Sequence, residues 1–235
     1  EENLDFILIS GDLFDTSLPN IDVIRRAAAT LRRVHDAGIS VYAVPGSHDF
    51  SPTGRTFINV FEDSGLLVNV AKAEEVDGKL RLRFTVDEKT GTKITGMMGR
   101  MGALEARYFM HLDRGIEDED GFKIFTFHSG IEEYKPSHLK DMTAIPLSSL
   151  PKGFDYYAGG HVHIVDDKQI EGYGRIAYPG PLFPNSFAEL EKLERGGFFI
   201  VEDENVKWEP IQIYNVERFE LNCNHLTPEE IKNSI

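Results

Sequence analysis

The chain has 235 residues, 39 acidic against 25 basic, for a formal charge of −14, and 41% of it is hydrophobic. That is enough apolar material for one large α/β domain or a domain with a short appendage, while the acid excess argues against non-specific attraction to nucleic acid. There is no apolar run long enough to span a bilayer, no leader pattern at EENLDFILIS, and a lone cysteine, Cys223, so a cytosolic protein without a disulfide framework is expected.

Strand-like LDFILIS begins almost at once, so the chain reads as one entered inside a domain. Leu4 to Ile9 form a short apolar segment that ends at Ser10-Gly11-Asp12, as a buried parallel strand opening into a loop would. A helix follows. Asn20 is its N-cap behind Pro19, Ile21, Ile24, Ala28, Leu31 and Val34 recur at helical spacing, and Gly38 supplies the stop. ISVYAV is a second strand running into PGSHDF, and the unit predicts parallel neighbours joined by a right-handed crossover.

A helix is predicted from Gly54 to Ser64, then a short strand at LLVNV. KLRLRFTVDEKTGTKITG alternates and turns at Lys89-Thr90-Gly91, the signal of an antiparallel hairpin. Residues 103 to 112 read as a helix or an ordered loop. FKIFTFHSG and FDYYAGGHVH repeat the opening design, a hydrophobic strand that delivers polar residues at its C-terminal end. KQIEGYGRIAYPG, GGFFIVED and VKWEPIQI predict a strand-rich second sheet, and residues 216 to 235 change character.

Four strand-to-loop junctions therefore carry the polar residues: Asp12 and Asp15 in GDLFD, Ser47, His48 and Asp49 in GSHD, His128 in FHSG, and His161 and His163 in GHVH. In open α/β sheets, sites form outside the carboxyl ends of strands, where residues distant in sequence converge. Taken singly the signals are weak. A Gly-Asp at a strand end is most often a turn, and a lone histidine is usually a satisfied polar group. The two histidines of GHVH, one residue apart, point more firmly to function, although period-2 spacing aims them to opposite sides if the segment stays extended. Asp49 has a structural alternative, closing its own loop by accepting backbone N–H bonds.

The order GD, G-x-H-D, H, GH-x-H resembles the calcineurin-like metallophosphoesterase superfamily. GDLFDTSLP and AYPGPLFPNSFAELEKLERGGFFIV narrow the match to its archaeal Mre-eleven and bacterial SbcD branch, the DNA double-strand-break repair nucleases. The resemblance implies an α/β fold, a four-layer α/β/β/α sandwich with two central mixed sheets. It implies a phosphoesterase domain over residues 1–213 and the start of a DNA-capping domain over 214–235. It also implies two divalent metal ions, Mn²⁺ foremost, and hydrolysis of DNA phosphodiesters by a two-metal-activated water, with 3′–5′ exonuclease and single-strand endonuclease action.

By the same resemblance Asp12 bridges the metals, His128 and His161 bind the second, His163 binds the first, and His48 is the catalytic acid. Asp15 falls where the family has a second group near the scissile phosphate; orienting His48 or capping a turn is its other role. The family's opening Asp-x-His motif would lie upstream of Glu1. At Ser47 the family has an Asn that binds the second metal; serine is a neutral oxygen on a shorter arm, expected to stand off the ion or reach it through water. DNA, an SbcC or Rad-fifty type ATPase and a second copy of the chain are the implied partners, with no membrane. The segment Thr53 to Leu66 is either the dimer contact or ordinary core. Arg100, Arg107, Arg114, Lys135 and Lys140 are candidate phosphate contacts or simply solvated charges. A small-molecule or nucleotide phosphoesterase and a catalytically impaired scaffold are the alternatives.

Overall fold

The computed structural model describes residues 4–135, 142–203, 205–217 and 219–233. Its strands are β1 (Phe6–Ser10), β2 (Ser40–Val44), β3 (Val68–Asn69), β4 (Ala73–Val76), β5 (Lys79–Leu82), β6 (Thr85–Val86), β7 (Lys93–Met97), β8 (Lys123–His128), β9 (Tyr156–Gly160), β10 (Val165–Ile170), β11 (Gly174–Pro179), β12 (Gly196–Glu202) and β13 (Asn205–Ile211). Its α-helices are α1 (Ile21–Asp36), α2 (Phe57–Asp63), α3 (Ala106–Met110), α4 (Phe187–Leu193) and α5 (Pro228–Lys232). The chain divides into two compact units at Gly180 and Pro181.

In the first unit β1, β2 and β3 form a parallel sheet, and β6 to β11 form a six-stranded one in the order β10-β11-β9-β8-β7-β6. The neighbours β7, β8, β9 and β11 of the larger sheet run parallel, and the edge strands β6 and β10 run antiparallel to them. Alternation along the strands sorts the layers. Ile7, Ile9, Val41 and Ala43 meet Leu31 of α1 and Ile58 and Phe61 of α2 in one core. Phe125, Phe127, Tyr157 and Tyr178 meet Phe109 of α3 and Ile116 in another. The opposite faces of the two sheets approach each other where Ser10 Oγ donates to the Ala158 carbonyl at 3.0 Å and lies 3.1 Å from Thr126 Oγ1. This is the four-layer arrangement of helices, sheet, sheet and helices.

The helix α1 starts and stops as its sequence dictates. Asn20 accepts from the Val23 N–H, and at the other end Gly38, at φ 74°, donates to the His35 carbonyl while Ile39 donates to that of Val34, a paired closure that a left-handed glycine permits. Ile21, counted in the apolar stripe, is 81% exposed; Val23 and Ala27 take its place against the sheet. In α2, Ile58 and Phe61 are core, as are Leu66 and Leu67 beyond it, and only Val60 is half exposed. The apolar side chains Ile58, Phe61 and Leu66 of the Thr53 to Leu66 segment are thus ordinary core.

Two expectations need correction. The strands β10 and β11 extend the sheet of β9 rather than starting another, because Ile176, Ala177 and Tyr178 are fully buried and demand a central position with cover on both faces. Only β12 and β13 pair apart, as a hairpin in the second unit. The second correction is an addition: β4 and β5 form a hairpin around Asp77 and Gly78, both at positive φ (52° and 73°), the backbone of a two-residue primed turn. Among the described residues no helix is long and apolar enough to cross a membrane.

Truncating Phe125, which is fully buried and in ring contact with Phe109, Phe127, Phe154 and Tyr157, should cost about 3–5 kcal/mol in urea unfolding. Ile21→Ser should change stability by less than about 0.5 kcal/mol. A comparable loss in the two variants would show that α1 packs through the face that includes Ile21.

Candidate metal centre

The site gathers at the carboxyl ends of β1, β2, β8 and β9. Asp12 follows β1 across Gly11, and both take positive φ, 88° for Gly11 and 50° for Asp12. A left-handed aspartate is uncommon, and the conformation turns its carboxylate back over the strand ends. Three groups converge on it. The His48 N–H donates to Oδ1 at 2.7 Å, the Ser47 hydroxyl lies 3.5 Å from Oδ2, and His128 Nε2 lies 3.1 Å from Oδ2. Ser47 Oγ is also 3.4 Å from His128 Nε2.

His128 is almost fully buried, and its Nδ1 stands 2.7 Å from the Ser10 carbonyl oxygen, which can only accept. Nδ1 therefore carries the proton, and Nε2 is the nitrogen turned to the site. A neutral imidazole would present a lone pair to a carboxylate at 3.1 Å, so a proton or a cation must lie between them. Burial is the largest influence on the Asp12 carboxyl and raises its pKa. The hydrogen bond and charge of His128, with the His48 N–H and imidazole, outweigh burial and hold the group below the ordinary value.

Glycines make this approach possible. A Cβ on Gly46 would fall 2.2 Å from Asp12 Oδ1 and 2.3 Å from its nitrogen. One on Gly160 would fall 1.9 Å from the Ser10 carbonyl oxygen and 2.9 Å from His128 Nδ1, and one on Gly11 would strike the same imidazole at 2.2 Å. The backbone is packed against the donor atoms to a depth that no side chain tolerates.

His161 begins where β9 ends. At φ 81° it breaks the extended course, so the opposed-sides geometry of a continuous strand does not apply to His161 and His163. Its ring packs edge-on to that of His128, centroids 5.1 Å apart. Burial, then the charge of His128, push its pKa down to about 4, with His163 and His48 acting in the same direction. A neutral imidazole is the form that ligates metal.

His48 is half exposed, its Nδ1 2.9 Å from the backbone carbonyl of Asp15. That fixes the proton on Nδ1 and presents Nε2 outward. The Asp15 carboxylate stands at 4.0 Å and is largely exposed, so the close orienting contact comes from its main chain rather than its acid group. Asp49 closes the loop: it is buried, accepts the Gly46 N–H at 2.7 Å, and burial is the main cause of its raised pKa.

Among the described residues no three His, Cys, Asp or Glu side chains form a closed metal-binding group. What stands together is Asp12 Oδ2, His128 Nε2 and Ser47 Oγ, with separations of 3.1, 3.4 and 3.5 Å. Adjacent ligands of a six-coordinate ion with bonds of about 2.1 Å are about 3 Å apart, so the three atoms suit one face of such a shell. Ser47 reaches the other two groups because Gly46 lets the whole loop sit against Asp12. Donor chemistry, tautomer and glycine cradle all fit a divalent cation.

Residues 1–165 match the family model of the calcineurin-like phosphoesterases. The chain belongs to that family. The DNA double-strand break repair protein Mre11 of Archaeoglobus fulgidus is 27% identical over 92% of this chain and 53% of its own length. Those of Methanopyrus kandleri and Methanocaldococcus jannaschii are 28% and 26% identical over 86% and 97% of this chain. These relatives put the chain on the Mre11 and SbcD branch, and it spans about half the length of the curated relatives it matches. The family implies divalent metal ions at the site.

Gly160→Ala should displace the Ser10 carbonyl or the His128 ring and weaken Mn²⁺ binding by at least about tenfold in calorimetric titration. A variant with unchanged affinity and an intact circular dichroism spectrum would mean that His128 does not hold the ion.

Proposed function

We propose that this chain is the phosphoesterase part of a DNA nuclease dependent on two divalent ions, Mn²⁺ foremost, that acts in double-strand-break repair. The observation that carries the reading is the contact between Asp12 and His128, a carboxylate and an imidazole nitrogen held 3.1 Å apart with the other ring proton taken by a carbonyl. The names of the relatives, DNA double-strand break repair proteins, supply the substrate.

Asp12 would bridge the ions, His128, His161 and Ser47 would hold one, and His163 would contribute to the other. When bound, the ions neutralise phosphate charge and lower the pKa of a water that attacks in line with the leaving oxygen. The protein's own part is position and proton transfer. Gly11, Gly46 and Gly160 bring backbone and donors together, and His48, its Nδ1 proton held by the Asp15 carbonyl, would act in its doubly protonated form, passing the Nε2 proton to the departing 3′ oxygen as the P–O bond breaks. Asp15 would assist mainly through that carbonyl.

The reading includes 3′–5′ exonuclease and single-strand endonuclease action, a homodimer, an SbcC or Rad50-type ATPase as partner, and residues 214–235 as the start of a DNA-capping module. The net charge of −14 favours a second reading, a phosphoesterase acting on a nucleotide or other small ester.

Cleavage of linear and single-stranded DNA in Mn²⁺, compared with turnover of bis(p-nitrophenyl) phosphate, separates the two. The nuclease reading expects DNA to be preferred. Asp12→Asn should abolish Mn²⁺ binding and cleavage together, whereas His48→Ala should lower kcat by roughly 10²–10⁴ with Mn²⁺ binding retained. Cleavage indifferent to both substitutions would rule out this site, and turnover confined to the small ester would favour the second reading.

A further inference from the structure

Of the five cations that the sequence offers as phosphate contacts, the structure separates Arg100 from the rest. Arg114 is committed to the fold, donating to the Glu117 carboxylate at 3.0 Å and to the carbonyls of Leu150 and Ser149 at 2.7 and 2.9 Å. Lys135 pairs with Glu132 at 3.0 Å. Arg107 projects from the exposed face of α3, and Lys140 lies outside the described residues.

Arg100 follows β7 and is half-buried. Its guanidinium lies over the ring of Phe50, 4.3 Å from the centroid, and Phe50 is two residues beyond His48. The backbone beneath it is tied into the site's frame from two sides. The neighbouring Gly99 N–H donates to the Pro45 carbonyl at 2.8 Å, joining this loop to PGSHDF. The Arg100 N–H donates to Glu105 Oε2 at 3.0 Å, and Glu105 Oε1 accepts the hydroxyl of Ser129, the residue after His128, at 3.1 Å. Gly99 also lies against the metal-facing imidazole, where a Cβ would come within 2.5 Å of His128 Cδ2.

Glu105 is only 4% exposed, and among the described residues no cation pairs with it. Its two hydrogen bonds make it a clamp between the loop of Arg100 and the end of β8. Nor does the Arg100 guanidinium form an ion pair among the described residues, although the Glu105 carboxylate is bound to its own N–H. Stacking on Phe50 covers a face of the guanidinium and leaves its in-plane N–H groups free, which is the arrangement that receives a phosphate in bidentate fashion.

We propose that Arg100 binds a backbone phosphate of the DNA strand next to the scissile one, with Phe50 holding its plane and Glu105 its backbone. This rests on the nuclease reading and names how an acidic protein engages an anionic strand: through a locally placed guanidinium rather than a basic surface. Arginine here is not interchangeable with lysine, because an ammonium is a point charge that neither stacks as a plane nor forks.

The test compares wild type with Arg100→Ala, Arg100→Lys and Phe50→Leu, using Arg32→Ala on the exposed face of α1 as a control for loss of one positive charge. KM and kcat are measured on a duplex oligonucleotide and on bis(p-nitrophenyl) phosphate, and DNA affinity against salt is followed by fluorescence anisotropy with Ca²⁺ in place of Mn²⁺. Arg100→Ala should raise KM for DNA about tenfold, as expected for loss of a charged hydrogen bond, and reduce the salt slope by about 1. Arg100→Lys and Phe50→Leu should fall between, and Arg32→Ala should match wild type. If the Arg100 variants also match Arg32→Ala while wild type cleaves DNA, this inference fails and the nuclease reading stands. Equal losses on both substrates with an unchanged salt slope would move Arg100 to the reacting phosphate and overturn the proposal. A wild-type chain that neither binds nor cleaves DNA overturns both.

Discussion

The hydrogen bond from His128 Nδ1 to the Ser10 carbonyl is the contact on which the site depends. It joins the last residue of β8 in the six-stranded sheet to the last residue of β1 in the three-stranded sheet, at 2.7 Å, with the imidazole almost fully buried. Its geometric consequence is that the ends of the two sheets share one position, reinforced a layer deeper by Ser10 Oγ against Thr126 and Ala158. Its chemical consequence is a fixed tautomer. With the proton held on Nδ1, Nε2 faces Asp12, and that orientation follows from a main-chain contact that no substitution of the carbonyl's own side chain removes. The close approach of Gly160 to both partners explains why this arrangement needs a glycine at the end of β9.

The charges of the site are ordered by burial. Asp12 keeps a low pKa although burial opposes it, because imidazoles and an N–H surround it. Asp49, more deeply buried, moves the other way: burial raises its pKa and the charge of Asp12 adds to it, against the main-chain N–H groups of Gly46 and Leu13. The two carboxylates of one small region thus divide between a charged centre and a loop clasp, the division that environments impose when like charges crowd. His161 is held neutral by the same crowding, from burial and three neighbouring imidazoles.

Much of this was legible in the sequence because it is local. Asn20 and Gly38 mark the ends of α1 by backbone chemistry that needs no tertiary knowledge, and apolar runs ending in Gly-Asp or Gly-His mark strand ends. The failures were of context. Ile21 has the right spacing for the core, yet the face chosen by α1 is set by where β1 and β2 lie. The strands β10 and β11 looked like another sheet because connectivity is silent about insertion between existing strands. Asp15 drew attention for its carboxylate, whereas its carbonyl makes the close contact with His48, and nothing in a side-chain motif reports a main-chain acceptor. The hairpin at Asp77-Gly78 is different in kind: its turn signal was present in AEEVDGKL, overshadowed by the longer alternating run after it.

Ser47 shows how its neighbours bring a short side chain to a crowded centre. A serine arm is short, so from a distant backbone its oxygen would not reach Asp12 or His128. The backbone here is not distant: Gly46 sits so close to Asp12 that any side chain would overlap the carboxylate, and Asp49 holds the loop there through the Gly46 N–H. The hydroxyl consequently lies 3.4–3.5 Å from His128 and Asp12, in reach of both. What serine cannot restore is field strength, since a hydroxyl oxygen is a weaker donor to a hard cation than an amide carbonyl. The centre it joins is built on Asp12 and His128, whose positions follow from the ends of β1 and β8.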